Sequence, residues 1–169
     1  MFLFSFFNHS TPTYKASKHG YTDIVKLLLL HKADSTIVNE KSGMTALCIA
    51  CLKGHFEIVK LLFDSNTYHF KTKYEQNLLH LASQSGNADL VNFILSLKIP
   101  INDKASNGLN ALHYACKGMD CAAIVTLLIE HKCDYLAKTK NISFLQLFII
   151  NSPYTMLASM EIIILSKNY

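Results

Sequence analysis

A short phrase returns along this chain at a nearly constant step, and no other feature restricts its fold as much. It reads Thr-Ala-Leu-Cys-Ile-Ala at residues 45–50, Asn-Leu-Leu-His-Leu-Ala at 77–82 and Asn-Ala-Leu-His-Tyr-Ala at 110–115. Weaker copies stand at 11–16 and 143–148. The third residue of each copy falls at positions 13, 47, 79, 112 and 145, so the steps are 34, 32, 33 and 33. Such a period describes small similar units stacked along one elongated core, and excludes a single closed globule.

A second phrase follows each strong copy and the first weak one, at residues 23–29, 57–63, 89–95 and 123–129. Its apolar residues are almost continuous, which predicts a helix buried on nearly all sides. The first phrase predicts a shorter helix with apolar or small residues spaced for one face. Gly20, Gly54 and Gly86 lie between the two. Glycine there suits a left-handed helix cap, which would strain a side chain with Cβ. One unit is therefore helix, glycine turn, helix and linker.

These residues resemble the ankyrin repeat. The family phrase Thr-Pro-Leu-His-x-Ala is matched in pieces by Thr11, Pro12 and Ala16, by Thr45, Leu47 and Ala50, by Leu79, His80 and Ala82, and by Leu112, His113 and Ala115. Gly54-His55 followed by Ile58-Val59-Lys60-Leu61-Leu62 matches the family's second helix. Ala33-Asp34 and Cys133-Asp134 match the Ala-Asp that follows it. The resemblance covers about residues 11–165. It implies an all-α solenoid of helix-turn-helix units joined by short hairpin-like linkers. The units fall near 11–42, 43–74, 75–107, 108–140 and 141–165, after an apolar segment at 1–10 and before a tail at 166–169.

Several positions depart from the pattern. Asn77 and Asn110 replace the family's Thr where His80 and His113 are kept, and Cys48 replaces His where Thr45 is kept. An amide can accept or donate as a hydroxyl does, so an altered form of the Thr–His hydrogen bond is expected. One extra residue near Gly118, Met119 and Asp120 predicts a different turn in the fourth unit. Glu75 occupies the hairpin position that holds Gly43 and Gly108, and Ile99-Pro100 replaces Ala-Asp.

Charge narrows the class of partner. The net charge is +4, and all 16 basic residues are lysine. Arginine's planar fork is the commonest reader of guanine, so its absence argues against sequence-specific nucleic-acid binding. Five cysteines without framework spacing suit reduced thiols in the cytoplasm. Hydrophobic content of 50% and apolar runs at both ends suggest an array that is part of a larger protein, or otherwise a monomer.

Three chemical readings compete with plain binding. Cys48 and Cys51 form a Cys-x-x-Cys that would serve thiol redox or metal chemistry, but no second ligand pair follows, and tetrahedral zinc takes four ligands. His80 and His113 recur at one phase of the repeat, which points to structural hydrogen bonding and away from catalysis. Residues 142–165 carry one charged residue, Glu161, and reach the length of a membrane span. Asn151-Ser152-Pro153 interrupts them where the repeat expects a turn, so a decayed final unit is the main reading and membrane association the alternative. No catalytic residue, cofactor or metal is expected.

The resemblance also implies where a protein partner would bind, on a concave side made of hairpin tips and the ends of the first helices. By register, the hairpin positions are Lys41, Ser42 and Met44, then Lys73, Tyr74 and Gln76, then Asn107 and Leu109, then Lys140. The helix-end positions are Lys18 and His19, Leu52 and Lys53, Gln84 and Ser85, and Lys117. Recurrent lysines favour an acidic segment of the partner. Tyr74, Met44, Leu52 and Leu109 would supply the adhesive contacts.

Overall fold

Each copy of the repeat phrase opens on a residue that can cap a helix, and in the computed structural model each described copy does so. The structure describes residues 10–64, 69–118 and 121–134. The expected fifth unit, the tail, Lys140 and residues 142–165 lie outside the described residues. Eight helices run in order through the described residues: α1 (Pro12–His19), α2 (Thr22–Leu30), α3 (Ala46–Lys53), α4 (Phe56–Leu62), α5 (Leu78–Ser85), α6 (Ala88–Ser96), α7 (Ala111–Ala115) and α8 (Ala122–Glu130). Thr11, Thr45, Asn77 and Asn110 sit before the odd-numbered helices in extended backbone. Each side-chain oxygen accepts the N–H three residues on.

The odd helices form one layer, in which α1 packs on α3, α3 on α5 and α5 on α7. The even helices pack against their own odd partners, and also α2 on α4 and α6 on α8. Gly20, Gly54 and Gly86 adopt φ of 78°, 73° and 82°, the left-handed caps the sequence predicts. The all-α stack of helix pairs is thus the fold.

Burial is distributed between the two helices in the opposite way to the sequence expectation. In α3 all residues from Ala46 to Cys51 are buried, and in α5 all from Leu78 to Ser83. The even helices bury one face only: Ile58, Val59 and Leu62 in α4, with Glu57, Lys60 and Leu61 exposed. The odd helix lies between two neighbouring units, its even partner and the hairpins, so every side is covered. Small residues such as Ala46, Ala50 and Ala82 let those neighbours approach. The even helix has one side left for solvent.

The linkers end in tight hairpins. Asn39 N–H donates to the Met44 carbonyl at 2.9 Å, Thr72 N–H to Gln76 at 3.0 Å and Ala105 N–H to Leu109 at 2.9 Å. Glu75 takes φ of 58° at the turn position where Gly43 and Gly108 have 64° and 78°. A side chain held there costs about 1 kcal/mol, offset by the hairpin it closes. The fourth unit's turn does differ: α7 stops at Ala115, and its cap, Cys116, is right-handed with φ of −66°.

Candidate protein-binding surface

In the third and fourth units polar contacts tie the start of the odd helix to the linker that follows it, and these help set the surface a partner would meet. Asn77 and His80 form a reciprocal cap, in which Asn77 Oδ1 accepts His80 N–H at 3.1 Å and His80 Nδ1 accepts Asn77 N–H at 3.1 Å. That leaves the ring proton on Nε2, which donates to the Asp103 carbonyl of the next hairpin at 3.1 Å. Asn110 and His113 repeat the reciprocal cap, and Asn110 Nδ2 donates to the Asp134 carbonyl at 2.9 Å. The altered hydrogen bond expected from the Asn substitutions is therefore present. Burial is the main cause that pushes both histidines below their ordinary pKa, with Lys117 and Lys104 adding to it at His113. Lys71 pairs with Asp103 at 3.1 Å and steadies the same hairpin.

The thiols are differently placed. Thr45 Oγ1 donates to Cys48 Sγ at 3.3 Å inside the core. Burial pushes the Cys48 thiol up, and the Cys51 thiol well up with Cys48 beside it. A thiolate nucleophile or metal ligand needs the reverse shift. Among the described residues no group of three or more His, Cys, Asp or Glu is placed to hold a metal ion. No described helix is long and apolar enough to cross a membrane.

The predicted contact residues fall into three groups. Lys18, His19, Lys41, Lys53, Lys73, Tyr74, Asn107 and Lys117 are exposed. Ser42, Met44, Leu52, Gln84, Ser85 and Leu109 are half-buried. Met44 and Leu52 lean on the core, and Ser85 Oγ is spent on its own turn, donating to the Ala82 carbonyl at 2.7 Å. Gln76 is a correction: it is buried, and its Oε1 accepts from Thr72 Oγ1 at 3.1 Å, so it braces the hairpin from inside. Its place beside a turn made it look exposed, but the closing residue of a hairpin faces the helices below.

Successive hairpins are joined directly. Lys73 Nζ donates to the Lys41 carbonyl at 2.5 Å and lies 5.1 Å from the centre of the Tyr74 ring. Ser106 N–H donates to the Tyr74 carbonyl at 2.9 Å. Farther along, Asn107 Nδ2 donates to Tyr114 Oη at 3.3 Å, and Lys117 Nζ lies 4.9 Å over the same ring. Tyr114, which is buried and supports Lys117 and Asn107 from inside, was not singled out by the sequence reading. The one sign of it is that an aromatic fills the variable position of the repeat phrase, where the earlier copies have Ile49 and Leu81.

Known proteins share this pattern. A family model described as ankyrin repeats in three copies matches residues 3–74 and 66–139. The ankyrin repeat protein FPV115 of fowlpox virus is 28% identical over 120 residues, covering 71% of this chain and 21% of that protein. Alpha-latrotoxin-Lt1a of Latrodectus tredecimguttatus is 33% identical over 121 residues, covering 66% of this chain and 8% of the toxin. The E3 ubiquitin-protein ligase XBAT33 of Arabidopsis thaliana is 29% identical over 163 residues, covering 77% of this chain and 31% of the ligase. The chain thus spans less than a third of each of these relatives. With the period, the capped helix pairs and the matched residues in agreement, the chain belongs to the ankyrin-repeat family.

Proposed function

We propose that this chain is a non-catalytic protein-binding module that grips an acidic segment of a partner with its hairpin tips and the ends of its odd helices. The observation that carries this reading is the exposed Lys73 beside the exposed Tyr74 ring, with Lys41 on the preceding hairpin and Lys117 farther along. A carboxylate arriving there meets ammonium groups, and the exposed Tyr74 ring offers apolar area at small entropic cost. The units keep the core constant while the rim varies, so a rigid surface is presented with little to order on binding. Reduced, buried thiols suit the cytoplasm. The test is affinity capture from the native cell with the full chain and with a Lys41→Glu, Lys53→Glu, Lys73→Glu variant. The variant should lose the partner that the unaltered chain retains, and retained capture by the folded variant overturns the acidic-segment reading.

A further inference from the structure

Asn107 and Gly108 form the only Asn-Gly step of the chain, and it stands at the tip of the third hairpin. An asparagine side chain can acylate the backbone nitrogen of the next residue, and glycine crowds that attack least because it has no Cβ. Asn107 is exposed and lies outside any helix, and a Cβ on Gly108 would meet no atom within 4 Å, so the space around the pair is open. Asn107 Oδ1 accepts Leu109 N–H at 3.1 Å, which curls the amide over the Gly108 peptide. That N–H is already aimed at the oxygen that becomes negative as the nitrogen attacks. The other described asparagines lack this combination. Asn39, Asn77 and Asn110 are buried, Asn87 and Asn92 precede Ala88 and Phe93, and Asn102 precedes Asp103.

We propose that Asn107 is a site of spontaneous modification, where the hairpin tip deamidates through a cyclic imide with Gly108. Gly108 N gives up its proton and bonds to Asn107 Cγ, the Cγ–Nδ2 bond breaks, and Nδ2 leaves as ammonia with that proton. Water then opens the imide at either carbonyl, giving aspartate or isoaspartate, and nothing is oxidised or reduced. Gly108 N–H donates to the Ala105 carbonyl at 2.8 Å, so the tip opens before the attack. Exposed turns open locally at small cost. Either product puts a carboxylate on a tip that bonds to the Tyr74 carbonyl through Ser106 N–H and touches Tyr114 beneath Lys117. The rim thereby loses one unit of the chain's net charge of +4. Isoaspartate also lengthens the backbone of the tip by a carbon.

The test incubates the full chain in mildly alkaline buffer made with heavy-oxygen water and maps its tryptic peptides by mass spectrometry. Labelling by isoaspartyl methyltransferase is the second readout. The peptide between Lys104 and Lys117 should gain heavy oxygen and methyl label sooner than the peptide holding any other described asparagine. Asn110 shares that peptide, so Asn107→Gln, which leaves Gly108 and its turn unaltered, decides between the two and should remove the gain. Gly108→Ala crowds the attacking nitrogen and should slow the gain about tenfold, equivalent to about 1.4 kcal/mol on the barrier. A gain no faster than at Asn87 in the unaltered chain, or undiminished labelling in Asn107→Gln, each overturns the proposal.

Discussion

Helices α2 and α6 have the same length, start with an acidic residue in the first turn and carry nearly the same apolar phrase. Yet α6 buries Leu90, Val91 and Ile94, while α2 buries Val25 alone. Nothing intrinsic to the two segments accounts for this. Helix α6 has described units on both sides, and α2 has one on one side only. In a stacked array the neighbour, and not the local sequence, decides how much of an apolar phrase leaves water.

The largest effect should come from the pair that isolates this difference. Ile58→Ala opens a cavity at a fully buried site and should cost about 2–5 kcal/mol in urea unfolding. Ile24→Ala makes the same change where half the side chain already meets solvent, and should cost about 1 kcal/mol. Equal costs would show that a neighbour does not matter. Next in size is Gly118→Ala. A Cβ there would stand 2.6 Å from the Gln84 carbonyl oxygen of the preceding unit, so the seam must open, at about 1–3 kcal/mol. Gly108→Ala meets no atom within 4 Å and should cost only the left-handed backbone penalty, about 1 kcal/mol.

Much of this was legible before any coordinates. The period gave the helix pairs, Gly20, Gly54 and Gly86 gave the turns, and the Asn–His phrase gave an altered hydrogen bond at the start of α5 and α7, though not its reciprocal form. These depend on contacts within a unit, or repeat in every unit. What the sequence misjudged depends on neighbours: the deep burial of α3 and α5, the half-open even helices, and Gln76 turned inward. Apolar periodicity reports which side chains avoid water, not which layer a helix occupies, and continuous runs in the even helices mimic full burial. For the candidate surface, register placed Lys41, Lys73 and Lys117 correctly as exposed. It did not foresee that Lys73 would cap the Lys41 carbonyl, a contact that crosses between hairpins, or that Lys117 would lie over Tyr114, three residues earlier at the end of α7.

Acid should divide the array along a related line. The position of His80 and His113 is filled by Tyr14 and Cys48 in the first two units. Both histidines have a folded pKa below the ordinary value of about 6.5, chiefly through burial. As pH falls through that value the unfolded chain takes up protons first. Their contribution is therefore intact above about 6.5 and is lost as pH drops toward the folded pKa. Urea midpoints should fall between pH 7 and pH 5. The double change Asn77→Thr, His80→Cys, which copies the pair Thr45 and Cys48, should flatten part of that fall. An unaltered pH slope would show that His80 binds protons equally in the folded and unfolded chain.

The smallest effect tests the start of the even helices. Asn87 joins two tasks: its Oδ1 accepts Leu90 N–H at 2.9 Å, capping α6, and its Nδ2 reaches Gly54 of the preceding unit. Tyr21 holds the same place before α2 and makes no side-chain cap. Asn87→Ala should therefore cost about 1 kcal/mol by urea titration. Tyr21→Ala should stay within about 0.5 kcal/mol, as for an exposed side chain without a special role. A larger loss at Tyr21 than at Asn87 would reverse the order of the two helices. It would mean that the open face of the first unit bears more of the fold's stability than the seam between units, which the burial of Leu90 and the exposure of Ile24 argue against.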